Sequence, residues 1–330
     1  MVSGVMTPEL HVASASAVEV ANGARALTAA ATAIRVDDVS MTYTVGRKGK
    51  RTVLQNISLE IEEGECVVLL GETGCGKSTL LRMLLGQEPP TSGSITVAGK
   101  PVERVDSRSG YVPQRYSLFP DRTVLENLCM GPETSKAHIF GRLMPGFRAF
   151  RKTVRAEAMR QLEHMGLHAS DAAKYPHQLS GGMQQRVAIA QALMMKSRVL
   201  LMDEAFSALD PATRASLQRL LRSVWSETKP TIVFVTHNTA EALFLGTRVI
   251  VLRRESREDS CGSRVALDMK LPAAGMSLHR NGKEFLDLVE YIESFSRGDH
   301  QKVSSDGDDR DGSAFEAETT TVFPLDGETL

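Results

Sequence analysis

The sequence has no apolar run of about 18 residues, the length that an α-helix needs to cross a bilayer. It has only four cysteines in 330 residues, and none forms a C-x-x-C pair or has a histidine partner. This pattern argues against a disulfide framework and a zinc site, and it predicts reduced thiols in a cytosolic protein. The cysteines are Cys66, Cys75, Cys129 and Cys261. Because 42% of the residues are apolar, the chain can still bury one large core or two modest ones.

The chain also has almost no net charge, at −1, which argues against a general nucleic-acid binder. The charge is unevenly distributed, because residues 298–330 carry a net of −7 and leave +6 on the rest. That segment is poor in apolar residues, so we expect an acidic disordered tail over 298–330. Residues 13–33 are alanine-rich, but no basic residue precedes them and Glu19 and Arg25 interrupt them. They therefore do not form a signal peptide, and we expect a flexible leader over 1–33.

A nine-residue segment matches the phosphate-binding loop G-x-x-x-x-G-K-[ST]. The apolar run 66–70 before it predicts a buried strand, and the run 80–85 after it predicts a helix that ends at Gly86. Glycines let backbone N–H groups curl around a phosphate, and the helix N-terminus adds partial positive charge. We therefore expect these residues to bind ATP: Gly71, Glu72, Thr73, Gly74, Cys75, Gly76, Lys77, Ser78 and Thr79.

The sequence predicts a separate role or property for three side chains of this loop. Lys77 reaches the β- and γ-phosphates, and the Ser78 hydroxyl holds Mg²⁺. Cys75 lies at the start of a helix and near Lys77, and both features lower the pKa of a thiol. We therefore expect Cys75 to be reactive, and Cys66, on the preceding strand, to be buried and slow to react.

Two further apolar runs, 199–202 and 231–235, are typical of central strands in a parallel sheet. Asp203 follows the first run and is placed to hold Mg²⁺ beside the phosphate loop. Glu204 comes next and is free to polarise an attacking water. The alternative is an ordinary polar strand end, where Asp-Glu pairs are common.

The pattern between the strands is mostly helical over residues 115–180. Asp210 and Pro211 predict the start of another helix, with Asp210 as N-cap and Pro211 in the first turn. One predicted helical face combines four apolar residues: Val154, Ala158, Leu162 and Met165.

The segment Leu179–Arg186 resembles the signature motif of ATP-binding cassette (ABC) ATPases. Its serine hydroxyl and two glycines at a helix start offer a second phosphate site, although an ordinary glycine-containing helix start is the alternative. In the family, two subunits sandwich two ATPs head to tail, and each signature seals the phosphate loop of the other subunit. The resemblance implies that four residues contact the partner's ATP: Ser180, Gly181, Gly182 and Gln184.

The other motifs of the family appear in order. Tyr43 matches the aromatic that stacks on adenine, and Gln114 matches the glutamine that senses Mg²⁺ and the attacking water. Residues 207–210 match the D-loop between subunits, which adds a nucleotide-site role to Asp210. His237 matches the switch histidine that senses the γ-phosphate. The resemblance thus implies a catalytic set of Glu204, His237, Gln114 and Lys77, and Mg²⁺ ligands Ser78, Gln114 and Asp203.

The resemblance covers residues 35–255 and implies an α/β fold, a P-loop NTPase cassette. It comprises a RecA-like core, an antiparallel β subdomain and a helical subdomain over about 115–180. We expect the ABC ATPase domain over 34–255 and a C-terminal extension over 256–297.

Two segments resemble particular transporter branches. Residues 175–178 and 183–186 look like those of bacterial importer ATPases, and 203–210 like the nitrate, sulfonate and taurine branch. This implies an ATPase that powers the import of a small anion or organic solute. The ATPase would be a peripheral subunit on the cytoplasmic face of the inner membrane. The implied partners are a second copy or a paralogous ATPase, integral-membrane permease subunits and, indirectly, a periplasmic or lipoprotein solute-binding protein, with no nucleic acid.

Two other functions stay open at this point. A soluble ABC ATPase that acts on nucleic acid, ribosomes or protein assembly usually brings coiled coils, a second cassette or zinc modules, and the sequence shows none. A non-hydrolytic clamp is disfavoured because Glu204 and His237 are both intact.

Residues 116–120 are expected to pass force to the permease. The segment 134–152 is about ten residues longer than in the usual cassette, and is either a surface loop or a membrane or permease contact.

Overall fold

The computed structural model describes residues 31–46, 49–114, 118–136, 145–254, 261–271 and 282–298. Several expectations therefore lie outside the described residues, namely most of the leader, the acidic tail after 298, Tyr116, Ser117, residues 137–144 and parts of the C-terminal extension. Among the described helices, none combines the length and apolarity that a membrane span requires.

Ten strands of the described residues form one mixed sheet in the order β5-β4-β1-β2-β10-β9-β3-β8-β7-β6. The strands are β1 (Thr32–Val45), β2 (Gly49–Glu62), β3 (Cys66–Leu70), β4 (Ser92–Val97), β5 (Lys100–Pro101), β6 (Ser109–Val112), β7 (Val199–Asp203), β8 (Thr231–Val235), β9 (Arg248–Arg254) and β10 (Ser263–Lys270). β1 begins at Thr32, two residues before the start that the sequence pattern predicts.

The centre of the sheet is parallel, with β3 between β8 and β9 and with β7 between β8 and β6. All five residues of β3 and of β8 are buried, as are the first four of β7, because both faces of the sheet are covered. The continuous apolar runs therefore form central parallel strands, as the sequence predicts. Parallel strands end at one edge of a sheet, which brings the residues after β3, β6, β7 and β8 together.

The other end of the sheet is antiparallel. β1 pairs with β2 and β4, and β4 pairs with β5, which confirms the expected antiparallel β subdomain. Its buried side chains, including Ile34, Val36 and Leu54, join one core cluster with Leu80 and Leu84 of the helix that follows the phosphate loop. This packing fixes the loop against the antiparallel subdomain.

Seven α-helices occur in the described residues: α1 (Lys77–Leu85), α2 (Val124–Lys136), α3 (Pro145–His164), α4 (Gly181–Met194), α5 (Pro211–Thr228), α6 (Thr239–Leu245) and α7 (Lys283–Arg297). Helices α2, α3 and α4 pack on one another as the expected helical subdomain. The predicted apolar face of α3 is buried, with Val154 at 6% and Ala158, Leu162 and Met165 at 0% exposure.

The C-terminal helix α7 packs on α6, β9 and β10. Its buried face consists of Phe285, Leu288, Ile292 and Phe295, and these residues belong to the core cluster that also contains Val249 and Leu267. The described part of the extension is therefore attached to the same core as the parallel sheet.

Candidate nucleotide-hydrolysis site

The phosphate loop lies between β3 and α1, and two of its glycines are required by geometry. Gly71 and Gly76 have φ of +148° and +97°, in the range that side chains rarely adopt. A Cβ atom on Gly71 would lie 2.3 Å from the Leu252 carbonyl oxygen, and one on Gly76 would lie 2.7 Å from Leu54 Cδ2. Only glycine therefore lets the loop pass this close to the sheet and to the antiparallel subdomain.

Lys77 lies across the loop and is 5% exposed. Its Nζ atom donates hydrogen bonds to the carbonyl oxygens of Gly71 (2.7 Å) and Glu72 (2.9 Å). Nζ also lies 3.8 Å from Cys75 Sγ, so all of its partners are neutral. An ammonium is costly to bury in this way, and a nearby anion lowers that cost. The loop therefore fits a phosphate group.

The expectation for Cys75 is wrong. The thiol is 5% exposed, and burial raises its pKa, although the neighbouring Lys77 opposes that shift. The expectation considered only the helix start and Lys77, which lie close to Cys75 in the sequence. The surrounding fold buries the thiol, and desolvation raises its pKa by more than the charge of Lys77 lowers it. Cys66 is buried as expected, and burial raises its pKa to about 12.

Ser78 and Asp203 meet across the edge of the sheet. The Ser78 hydroxyl donates a 3.1 Å hydrogen bond to Asp203 Oδ1. Burial raises the pKa of Asp203, and the negative charge of Glu204 adds to this shift. A half-buried carboxylate beside a hydroxyl gives hard oxygen donors, the set that Mg²⁺ prefers, so these two residues fit a magnesium ion.

Glu204 brings the expected catalytic residues together. Its Oε2 atom accepts a 3.0 Å hydrogen bond from Gln114 Nε2, and its Oε1 lies 3.4 Å from His237 Nδ1. Glu204 has φ of +43°, a strained conformation for a non-glycine residue. Its N–H donates to the Val235 carbonyl (3.0 Å), which anchors that conformation on β8. Three residues from different parts of the sequence thus converge beside the phosphate loop.

Tyr43 is partly buried on β1, and its hydroxyl donates to the Glu88 carboxylate. Burial raises the pKa of Tyr43, and the hydrogen bond to Glu88 raises it further. These contacts fix one edge of the ring. Adenine stacking on its face stays a prediction.

The signature residues form the start of α4. The Ser180 hydroxyl accepts a 3.4 Å hydrogen bond from Met183 N, as an N-cap does. Gln184 Nε2 donates to the carbonyls of Pro176 (3.0 Å) and Leu179 (3.2 Å), so its amide braces the preceding turn. Across the described residues, no hydrogen bond joins Ser180 or the two glycines after it to the phosphate loop. Their contact with a partner's ATP stays a prediction.

Asp210 caps α5, as the sequence predicts. Its Oδ1 atom accepts hydrogen bonds from Ala212 N (3.1 Å) and Thr213 N (3.0 Å). The hydrogen bonds from Thr213 and Ala212 lower the pKa of Asp210. The start of α5 packs tightly against the start of α4, because a Cβ on Gly182 of α4 would lie 2.4 Å from Thr213 Cγ2 of α5. The starts of α4 and α5 are thus held side by side.

Sequence reasoning missed three polar residues behind His237. Gln218, Thr236 and Glu241 are 3%, 2% and 8% exposed, and hydrogen bonds connect them. One signal was available in the sequence, because Gln218 lies directly after Leu217 and three residues before Leu221 in the predicted helix. A polar residue that is buried in such a helix needs a buried partner, but the sequence does not say which.

The sequence is similar to those of known ATP-binding proteins of transporters. The ABC transporter family model matches residues 54–207. An ABC transporter ATP-binding protein of Methanocaldococcus jannaschii is 40% identical over 72% of this chain and 82% of its own length. The taurine import ATP-binding protein TauB of Rhizobium johnstonii is 41% identical over 66% of this chain and 79% of its own length. The nitrate import ATP-binding protein NrtD of Synechococcus elongatus is 36% identical, with coverages of 66% and 76%.

The fold was compared with solved structures. A dimeric ATP-binding cassette in a post-hydrolysis state, bound to ADP and Pi, matches with a TM-score of 0.60 and 32% sequence identity. The match covers 73% of this chain and 99% of that one. Sequence relatives, fold and converging site residues agree. The chain therefore belongs to the ABC transporter family, as an ATP-binding cassette ATPase.

Proposed function

We propose that this chain binds and hydrolyses ATP to power a bacterial importer of small anions. The observation that carries the proposal is the Glu204 carboxylate, held between Gln114 and His237 and next to the Ser78–Asp203 pair. The importer assignment is supported by relatives that are named for the import of nitrate, taurine, aliphatic sulfonates and bicarbonate.

The phosphate loop binds the triphosphate, with Lys77 Nζ directed to the β- and γ-phosphates. Ser78, Asp203 and Gln114 would hold Mg²⁺. Held there, Mg²⁺ would supply positive charge against the charge of the phosphates. Tyr43 stacks on the adenine ring, a contact without base specificity.

Hydrolysis depends on a water between Glu204 and the γ-phosphate. Glu204 accepts a proton from this water as general base, while Gln114 orients it. His237 contacts both Glu204 and the γ-phosphate, so it links the position of the base to the presence of that phosphate. Lys77 stabilises the charge that develops on the transferred group.

A second subunit completes each ATP site. Ser180, Gly181 and Gly182, with Gln184 behind them, offer a helix N-terminus and N–H groups to the phosphates bound by the partner. Each ATP then bridges two chains, either two copies or one copy and a paralogous ATPase. The dimeric cassette that resembles this chain supports this geometry. Closure on ATP and reopening after hydrolysis drive the permease between its two states.

Phe119 belongs to the segment that we expect to contact the permease, and Asn127 anchors its backbone. Asn127, at 0% exposure, accepts from Phe119 N (2.8 Å) and donates to Phe119 O (3.2 Å). The Phe119 side chain is 41% exposed and offers apolar surface. We place the subunit on the cytoplasmic face of the cell membrane, bound to integral-membrane permease subunits. A solute-binding protein delivers the anion to the permease and does not touch this chain.

Transport by membrane vesicles tests this function. Where a neighbouring gene encodes a multi-span permease, the chain is co-expressed with that permease and a solute-binding protein, and uptake of nitrate, taurine and an alkyl sulfonate is measured with ATP inside the vesicles. We expect uptake of one of these anions with the wild type and none with Lys77→Ala. ATPase activity that responds to nucleic acid or ribosomes and not to the permease would favour a soluble ABC ATPase instead.

A further inference from the structure

Three buried polar side chains connect the loop that carries His237 to the middle of α5. Glu241 accepts a 2.7 Å hydrogen bond from Gln218 Nε2 and another from the Thr236 hydroxyl. Asn238 N donates to Thr236 Oγ1 (3.1 Å), and Glu241 N donates to Asn238 Oδ1 (2.9 Å). His237 thus lies between two residues whose positions these bonds fix.

The same helix holds a second loop. Arg214, one turn before Gln218, donates to the carbonyl oxygens of Phe206 (3.2 Å), Ser207 (3.4 Å) and Leu209 (3.0 Å). These carbonyls belong to the 207–210 loop and its entry. Residues four apart lie on one face of a helix, so one face of α5 holds both the 207–210 loop and the His237 loop.

Burial makes Glu241 dependent on these contacts. Glu241 is 8% exposed, and it forms no ion pair among the described residues. A buried carboxylate without a cation is stable only when hydrogen bonds satisfy both of its oxygens. An apolar side chain would pack there at lower cost, so the carboxylate calls for an explanation beyond packing.

We propose that Glu241 is a positioning residue that couples the 207–210 loop to His237 through α5. When a partner subunit fixes that loop, Arg214 and Gln218 hold α5, and Glu241 and Thr236 keep His237 Nδ1 near Glu204. The distance between these two groups is 3.4 Å. Glu241 itself touches neither the nucleotide nor the reacting water. This inference rests on the hydrolytic role of His237 proposed above.

Steady-state kinetics of Glu241→Gln test the inference. The amide replaces one acceptor oxygen with a donor that faces Gln218 or Thr236, so the His237 loop shifts. We expect kcat to fall by about tenfold or more, because small displacements of catalytic groups are costly, and KM for ATP to stay within about twofold. Gln218→Leu, which removes one donor, should lower kcat in the same direction.

The decisive comparison uses the His237→Ala background. If Glu241 acts through His237, Glu241→Gln lowers kcat there by less than about twofold, because the group that it positions is gone. An equal factor in both backgrounds would overturn the inference. Wild-type kcat in Glu241→Gln overturns this inference alone, whereas wild-type kcat in His237→Ala overturns the hydrolytic role on which it rests.

Asp268→Asn is the matched control for lost stability. It breaks the ion pair with Arg248 (2.6 and 2.7 Å) between β9 and β10, away from the site. We expect Asp268→Asn to lower Tm and to keep wild-type kcat at temperatures where the protein is folded. A kcat for Glu241→Gln that recovers fully at such temperatures would show a general loss of stability and would overturn the positioning role.

Discussion

The Ser78 hydroxyl and the Asp203 carboxylate meet at 3.1 Å although 125 residues separate them in the sequence. Asp203→Asn removes the charge from this pair and keeps its size. We expect the Mg²⁺ concentration for half-maximal ATPase activity to rise by at least about tenfold, as for other losses around a metal site. Ser78→Ala, which removes a neutral ligand, should have the smaller effect. Equal Mg²⁺ requirements in wild type and Asp203→Asn would contradict the assigned ligand set.

Burial also makes Mg²⁺ binding depend on pH. The pKa of Asp203 is raised, and the carboxylate must ionise to bind the cation, so protons and Mg²⁺ compete. Mg²⁺ affinity should therefore increase as pH rises through this raised pKa. Without Mg²⁺ the sign for stability is opposite, because the folded state holds the proton more tightly and the free energy of unfolding falls with rising pH. Titration calorimetry at several pH values measures the first effect, and Asp203→Asn should abolish it.

A comparison of alanine variants at two glycines with positive φ distinguishes the cost of backbone strain from the cost of a steric clash. Gly76→Ala places a Cβ 2.7 Å from Leu54 Cδ2 at φ +97°, whereas Gly99→Ala, at φ +72°, meets nothing within 4 Å. The left-handed backbone costs each variant about 1–2 kcal/mol. We expect Gly76→Ala to lose more stability than Gly99→Ala and also to lose ATP binding. Denaturant unfolding and nucleotide titration measure both effects, and equal losses of stability would show that the clash relaxes freely.

Cysteine labelling tests the corrected view of the phosphate loop. Cys66, Cys75 and Cys129 are buried, and burial raises the pKa of all three thiols, whereas Cys261 is partly exposed. The thiolate is the reactive form, so a maleimide at neutral pH should label Cys261 first and Cys75 slowly. Labelling of Cys75 should quicken as pH rises, and Mg-ATP should slow it. Rapid loss of activity that Cys75→Ser prevents would restore the original expectation of a reactive thiol.

Sequence motifs predicted the phosphate loop, the acids at the end of β7 and the cap of α5, because each of these features is encoded by adjacent residues. The contact of Gln114 with Glu204 spans 90 residues and depends on the order of strands in the sheet. The same is true of the bond between Gln218 and Glu241, which no local pattern indicates. The Cys75 expectation failed for a related reason, because the helix start and Lys77 are local features whereas burial is a property of the whole fold.

The two anion sites should fail in different ways. Lys77→Ala should weaken ATP binding or phosphoryl stabilisation within one subunit. Ser180→Arg should leave ATP binding by the monomer largely intact and block dimer closure, because the proposed arrangement places the signature against the ATP of the opposite subunit. Nucleotide affinity at low protein concentration and gel filtration with ATP distinguish these outcomes. Equal loss of monomeric ATP binding in both variants would contradict the sandwich arrangement.

The most direct measurement is single-turnover ATP hydrolysis by Glu204→Gln beside the wild type. Glutamine keeps the size of the side chain and removes the base, so we expect ATP binding to persist and hydrolysis to fall by at least about 10²-fold, the usual contribution of a general base. In the proposed cycle hydrolysis reopens the dimer, so this variant should also accumulate as an ATP-bound dimer. Wild-type turnover by purified Glu204→Gln would contradict the central assignment of Glu204 as the base.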